Sequence, residues 1–249
     1  MAKPQARELQ VQMRSWVTKN MLRITLGGDG LEDFPQGQES AYIKLLFPQD
    51  GDARPLMRTY TIRAQRPEEI DVDFVMHVEH GPASAWASEA EPGDKILVAG
   101  PGARKLISQE GKWFLLAADM TALPALSVNL EQLPDDARGY AVIEVREEAD
   151  IQSLKHPPGL KILWVINPKP CPEGRPLLAK VQSLAVLSGT PSVWAACEFG
   201  SMRALRQYFR QVFDVPKAQF YVSSYWKIGQ TEDGHKHAKQ RYNEESSTN

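Results

Sequence analysis

The spacing of apolar residues changes character near residue 110 of this 249-residue chain, and that change limits the possible folds more than any other feature. Before it, short segments alternate polar and apolar residues and stop at Gly, Pro or Asp. They are Met21 to Leu26, Ala41 to Phe47, Arg58 to Arg63, Ile70 to Val75 and Lys95 to Ala99. Period-two patterning with this punctuation predicts an antiparallel barrel or sandwich. Gly81-Pro82-Ala83-Ser84-Ala85-Trp86-Ala87 interrupts it as a short helix start. After the change come nearly continuous apolar runs: Trp113 to Ala118, Tyr140 to Ile143, Ile162 to Ile166, Val193 to Ala196 and Phe220 to Val222. Such runs suit strands buried on both faces of a parallel sheet. Helical stretches are expected between them at Thr121 to Leu133, Leu177 to Leu187 and Met202 to Phe213. The expectation is two domains: a barrel over 1–109, then an α/β domain with a five-stranded parallel sheet over 110–249. The polar end, from Thr231, reads as a helix or a loose tail.

Composition narrows the function classes. Hydrophobic residues make up 42% of the chain, enough for a sizeable core, and the formal net charge is -2. That balance gives no reason to expect nucleic-acid binding. Cys171 and Cys197 show no ligand-like spacing, so neither a disulfide framework nor a zinc site is expected. The start lacks a signal-peptide core, and no apolar run reaches the ~20 residues of a membrane span. These features predict a cytoplasmic protein with reduced thiols.

The segment Arg58-Thr59-Tyr60-Thr61-Ile62-Arg63 carries the most chemistry. On a strand, Arg58 and Tyr60 share one face while Thr59 and Thr61 share the other. Arg offers a planar fork for phosphate, Tyr a flat face for a ring system, and Thr61 a hydroxyl or backbone N–H. A flavin dinucleotide needs that set; an ordinary edge strand with two surface arginines would also show it. The second segment runs Asp73-Phe74-Val75-Met76-His77, then Gly81-Pro82-Ala83-Ser84. Small residues at a helix start let backbone N–H groups approach a phosphate, where the helix dipole favours negative charge.

A barrel followed by an α/β domain resembles the ferredoxin-reductase layout, which implies an antiparallel Greek-key β-barrel in the first half. The stretch from Arg58 to Pro101 resembles, more narrowly, the flavin-binding region of siderophore-interacting proteins. Five of that family's motifs occur in order: Arg-x-Tyr-Thr-x-Arg, Asp-Phe-Val-x-His, Gly-Pro-Ala-x-x-Trp-Ala, Pro-Gly-Asp and Gly-Pro. The likeness continues through Asp119-Met120-Thr121 to Tyr225-Trp226-Lys227-Ile228-Gly229. It implies FAD contacts from Arg58, Thr59, Tyr60, Thr61, Arg63, Asp73, Val75, His77, Pro82, Ala83 and Ser84. Asp119, Thr121 and Trp226 join them as further cofactor-binding positions. Lys44 and Lys227 match basic positions that meet an anionic ferric siderophore, with Arg104 as an addition. Two departures stand out. Met120 replaces the family's Glu in Gly-Asp-Glu-Thr, and Cys197 replaces Gly in Ala-Gly-Glu.

The resemblance implies a cytoplasmic oxidoreductase that moves electrons from NADH or NADPH through FAD to siderophore iron. Ferredoxin is an alternative donor. A general flavin reductase and a siderophore carrier without redox chemistry are the rival functions. No catalytic acid, base or nucleophile is required. The α/β half lacks Gly-x-Gly-x-x-Gly, so its ligands are expected beyond the carboxyl ends of the strands. Asp119 to Thr121, Glu144 to Arg146 and Cys197 to Phe199 lie there. Arg146 could hold a 2′-phosphate and Glu144 ribose hydroxyls. His235-Lys236-His237-Ala238-Lys239 lacks carboxylate or Cys partners, and reads as a basic helix face rather than a metal site.

Overall fold

The computed structural model describes residues 6–49, 51, 53–76, 81–171 and 175–247. The chain divides into two compact units, Met1–Lys105 and Leu106–Asn249. In the first, six strands close into an antiparallel barrel in the order β1-β2-β5-β4-β3-β6. They are β1 (Arg7–Thr18), β2 (Met21–Gly27), β3 (Tyr42–Phe47), β4 (Leu56–Arg66), β5 (Glu69–Val75) and β6 (Lys95–Ala99). Alternation places Leu22, Ile24, Ile43, Leu45, Ile62, Val72, Phe74 and Val98 inside, each fully buried. Helix α1 (Pro82–Glu89) follows Gly81 and packs Ala83 and Ala87 inward.

Strand β1 is absent from the sequence expectation, yet it closes the barrel by pairing with both β2 and β6. Among its residues only Leu9 and Val11 are fully buried, while Met13 and Trp16 face solvent at 53% and 56% exposure. Its inward pattern is two residues long, and the register shifts between Val11 and Met13. That is too short a signal for periodicity to reveal.

The second unit is a five-stranded parallel sheet in the order β11-β10-β7-β8-β9, with α-helices between β7 and β8, β9 and β10, and β10 and β11, and a short 3-10 turn between β8 and β9. Its strands are β7 (Trp113–Asp119), β8 (Gly139–Val145), β9 (Leu160–Ile166), β10 (Pro191–Glu198) and β11 (Phe220–Trp226). Central β7 and β10 are buried along their whole length. Edge strands β9 and β11 are half-buried despite their apolar runs, because each has a neighbour on one side only. The helices are α2 (Leu123–Glu131), α3 (Pro176–Gln182), α4 (Phe199–Val212) and α5 (Glu232–Ser247).

Helix ends differ from the sequence expectation for local reasons. Thr121 is spent on Asp119, which accepts from both its backbone N and its hydroxyl, so α2 starts two residues later. Ser183 Oγ bonds back to Lys180 O at 2.7 Å, and α3 ends there rather than at Leu187. Glu198 caps α4 by accepting from Gly200 N and Ser201 N, which moves its start back to Phe199. The polar end is a helix. Among the described residues no helix is long and apolar enough to cross a membrane.

Candidate cofactor and substrate sites

On the barrel, register sets the faces of the motif. Tyr60 lies opposite Ile43 and Arg58 opposite Leu45, whereas Thr59 pairs with Lys44 and Thr61 with Tyr42 on the outer face. Tyr60 is half-buried, its ring 4.4 Å from that of Phe74 at 35°. Phe74 also touches the Trp86 ring at 5.9 Å, and Trp86 touches Phe47 at 6.3 Å. One aromatic row therefore fixes the motif strand and α1 together. At the start of α1, Gly81 has no side chain to cap with and Pro82 has no N–H. Ser84 Oγ turns to Gly81 O at 3.1 Å. No described residue accepts from the N–H of Ala83 or Ser84. A small-residue helix start with open N–H groups fits a phosphate group.

Charge pairing separates the cations of this unit. Arg7 is held by Asp33, Arg23 by Asp73, Arg66 by Glu69 and Asp71, and Lys95 by Glu8. Arg58 and Lys44 are half-buried and make no ion pair with any described residue. Arg58 donates only to the neighbouring Met57 O, at 2.8 Å. Arg58, Lys44 and the α1 N-terminus thus present positive potential that no carboxylate among the described residues neutralises, which is what FAD phosphates and an anionic chelate require.

Other expected positions are placed differently. Asp73 gives both carboxylate oxygens to Arg23, at 2.6 and 2.8 Å, so its side chain has no oxygen without a bond. Val75 is half-buried at the end of β5, opposite Met21. Arg63 lies at the register shift between β4 and β5. Arg104 Nε donates to Glu39 O at 2.9 Å, fixing the loop after β6. His77 lies outside the described residues. A groove of about 530 Å³ in this unit is lined by Arg7, Asp33, Glu8 and Lys95, two of the ion pairs just named, and contains none of the motif residues.

In the α/β unit, strand order reverses between β7 and β10, and their carboxyl ends carry Asp119 and Glu198. That crevice is where open α/β sheets bind ligands. Asp119 accepts from Thr121 N at 3.0 Å, Thr121 Oγ1 at 2.6 Å, Glu198 N at 2.8 Å and Trp226 Nε1 at 2.7 Å. Burial pushes its carboxyl up from the usual range, and these donors pull it back. Trp226 is therefore anchored by its indole nitrogen. Glu144, at the end of β8, accepts from Asn167 Nδ2 at 3.0 Å. Burial, reinforced by the charges of Asp119 and Glu198, pushes it up to about 7. Burial lowers Arg146, which retains other interactions. Cys197 is buried, and burial raises its thiol well above the usual range. Lys227 extends over the Phe199 ring, its Nζ 5.0 Å from the centroid. Sequence reasoning missed this platform, since nothing local to Phe199 reports its distance from Lys227.

A six-stranded barrel unit followed by a five-stranded parallel-sheet unit with a switch-point crevice is the ferredoxin-reductase-like fold. Comparison with known proteins gives the narrower class. Residues 10–53 and 49–105 match the siderophore-interacting FAD-binding domain, and residues 111–229 match the siderophore-interacting protein profile. The chain belongs to the siderophore-interacting protein family. It is 32% identical over 251 residues to the ferric vibriobactin reductase of Vibrio cholerae, covering 92% of each chain. It is 29% identical to the NADPH-dependent ferric-chelate reductase of Escherichia coli, covering 88% of this chain and 92% of that one. The crystal structure of the siderophore-interacting protein from Aeromonas hydrophila superposes with a TM-score of 0.86 at 32% identity, over 97% of this chain and 99% of that one.

Proposed function

We propose that this protein is a cytoplasmic ferric-siderophore reductase that holds FAD on its barrel unit and draws electrons from NADH or NADPH. The observation that carries this reading is a set of groups on the barrel: Arg58 and Lys44, which make no ion pair with a described residue, and the N–H groups of Ala83 and Ser84, for which no described residue is an acceptor. Family membership and relatives named as ferric reductases support it.

Arg58 would meet the cofactor's pyrophosphate as a charged fork, and the start of α1 would meet it with N–H donors. Tyr60, held by Phe74, would lie beside the ring system, with Thr59 and Thr61 on the opposite strand face. Bound FAD supplies the redox chemistry, accepting electrons in pairs and releasing them singly to iron. Lys44 on the barrel unit and Lys227 on the α/β unit would each attract an anionic chelate. Electron transfer to iron needs no side chain as acid or nucleophile, which agrees with the carboxylates of Asp119 and Glu198 being occupied by internal donors.

An anaerobic spectral titration tests the proposal. The purified protein should absorb near ~450 nm, bleach on adding NADH or NADPH, and regain colour on adding a ferric siderophore. A colourless protein that fails to take up FAD would refute the flavin assignment. Bleaching by reduced ferredoxin but not by NAD(P)H would assign ferredoxin as donor. Reoxidation by free flavins but not by ferric siderophores would leave a general flavin reductase.

A further inference from the structure

The siderophore-interacting profile ends at residue 229, and helix α5 lies beyond it. One face of α5, at helical spacing, turns toward the sheet: His235 and Ala238 are buried, and Lys239 and Tyr242 are half-buried. Lys236 and His237 face solvent. The sequence expectation of a basic helix face is thus corrected, since two of its members are directed at β11.

The contacts of that face converge on one ring. His235 Nε2 and Ser224 Oγ lie 2.8 Å apart in a buried pair. Lys239 Nζ donates to Ser223 Oγ at 2.7 Å and Ser224 O at 3.2 Å. The rings of His235 and Tyr242 meet Phe199 nearly perpendicular, at 6.4 and 5.9 Å. Phe199 in turn carries the Lys227 ammonium over its face. Arg203 and Arg206 close over the Tyr242 ring at 5.2 and 5.3 Å.

We infer that His235 is a positioning residue for substrate binding: from α5 it fixes Ser224 and the Phe199 ring, and so holds the Lys227 ammonium where an anionic ferric chelate can meet it. The inference rests on the proposed reduction of ferric siderophores. Two features fit a positioning role better than plain packing. His235 is a polar side chain whose hydrogen bond is to the strand that leads directly into Lys227. It is also neutral between two cations: burial, with Lys239 and Lys227 nearby, lowers it to about 4. A charged imidazole would repel the ammonium it helps to place.

A double-mutant cycle on the FAD-loaded protein tests this, with steady-state reduction of an anionic ferric tris-catecholate as the readout. His235→Ala should raise KM about five- to tenfold with kcat per bound FAD unchanged. Lys227→Ala should raise KM likewise, and His235→Ala should add less than about twofold in that background. His235→Gln, whose amide reaches the same hydroxyl, should restore most of the loss, and exposed His237→Ala should change nothing. Should His235→Ala fold poorly, Ser224→Ala removes the same hydrogen bond and must give the same pattern. An equal KM penalty with and without Lys227, or an unmoved KM, overturns the inference. An unmoved KM in Lys227→Ala alone also overturns it, by removing the group being positioned. A wild-type protein inert toward every ferric chelate would instead sink the proposed function.

Discussion

Two buried titrations in the α/β unit should oppose each other, and single substitutions should expose them. Glu144 keeps its proton in the folded state up to about 7, against 4.5 when unperturbed. Between those values unfolding releases a proton, so stability falls as pH rises, by up to about 1.4 kcal/mol per pH unit. His235 behaves in the opposite sense. Its folded value is about 4 against 6.5, so unfolding takes up a proton in that interval and stability rises with pH. Each interval spans about 2.5 units and sets a ceiling of about 3 kcal/mol; screening by nearby solvent brings the expected effect to about 1–2 kcal/mol. From pH 4.5 to 6.5 the two contributions largely cancel. Glu144→Gln keeps an acceptor for Asn167 Nδ2 but cannot titrate. Its stability relative to wild type should climb by about 1–2 kcal/mol from pH 4.5 to 7. His235→Gln should show the reverse, losing relative stability as pH climbs from 4 to 6.5. Urea unfolding followed by tryptophan fluorescence at low salt measures both differences. Differences that stay constant with pH would refute the linkage.

The barrel and crevice make their own predictions. Arg58→Ala should weaken FAD binding about 10- to 100-fold, the value of a charge-assisted bond to phosphate, with little change in melting temperature. Titration of the apoprotein by flavin fluorescence measures it, and unchanged affinity would remove Arg58 from the site. Asp119→Asn replaces one carboxylate oxygen with a donor, facing N–H or O–H groups that need an acceptor. It should cost about 2–4 kcal/mol in urea unfolding and alter the near-ultraviolet circular dichroism of Trp226. A loss below about 0.5 kcal/mol would show that the network does not hold the strand ends together.

What could be read from sequence depended on whether the signal was local. The apolar runs of β7 and β10 announce strands covered on both faces, because polar residues are buried there only where they find partners, as Asp119, Ser192 and Glu198 do. β1 stayed hidden because the exposed part of a barrel strand need not alternate. The Arg58 motif gave the residue types of a flavin site, but not which charges were free. Asp73 looked available beside Phe74, yet its partner Arg23 lies 50 residues away on the neighbouring strand. The same holds for His235. Its helix was legible, but its orientation is set by Ser224 on β11, which no pattern within α5 encodes.

The two departures from the family pattern, Met120 and Cys197, take a different meaning once their surroundings are known. Both lie beside the switch-point crevice in sequence, where an altered side chain would be expected to alter donor binding. Both are buried, at 5% and 1% exposure. Cys197 packs in the apolar layer with Ala195, Phe199 and Met202, on the strand face opposite Glu198. Its thiol is kept protonated by burial and by the charges of Asp119, Glu144 and Glu198, so it is no nucleophile or ligand. Met120 sits between Asp119 and Thr121, whose mutual hydrogen bonds persist around it. Cys197 brings no charge to the strand ends, whereas Met120 leaves them without the carboxylate that the family's Glu would supply. The polar groups of the crevice remain Asp119, Glu144, Asn167 and Glu198, and Asp119, Glu144 and Glu198 already accept from Trp226, Asn167 and the start of α4. The carboxylates of this crevice therefore hold their own framework: Asp119 fixes Trp226, next to Lys227, and Glu198 fixes the start of α4, with buried Met120 and Cys197 beside them.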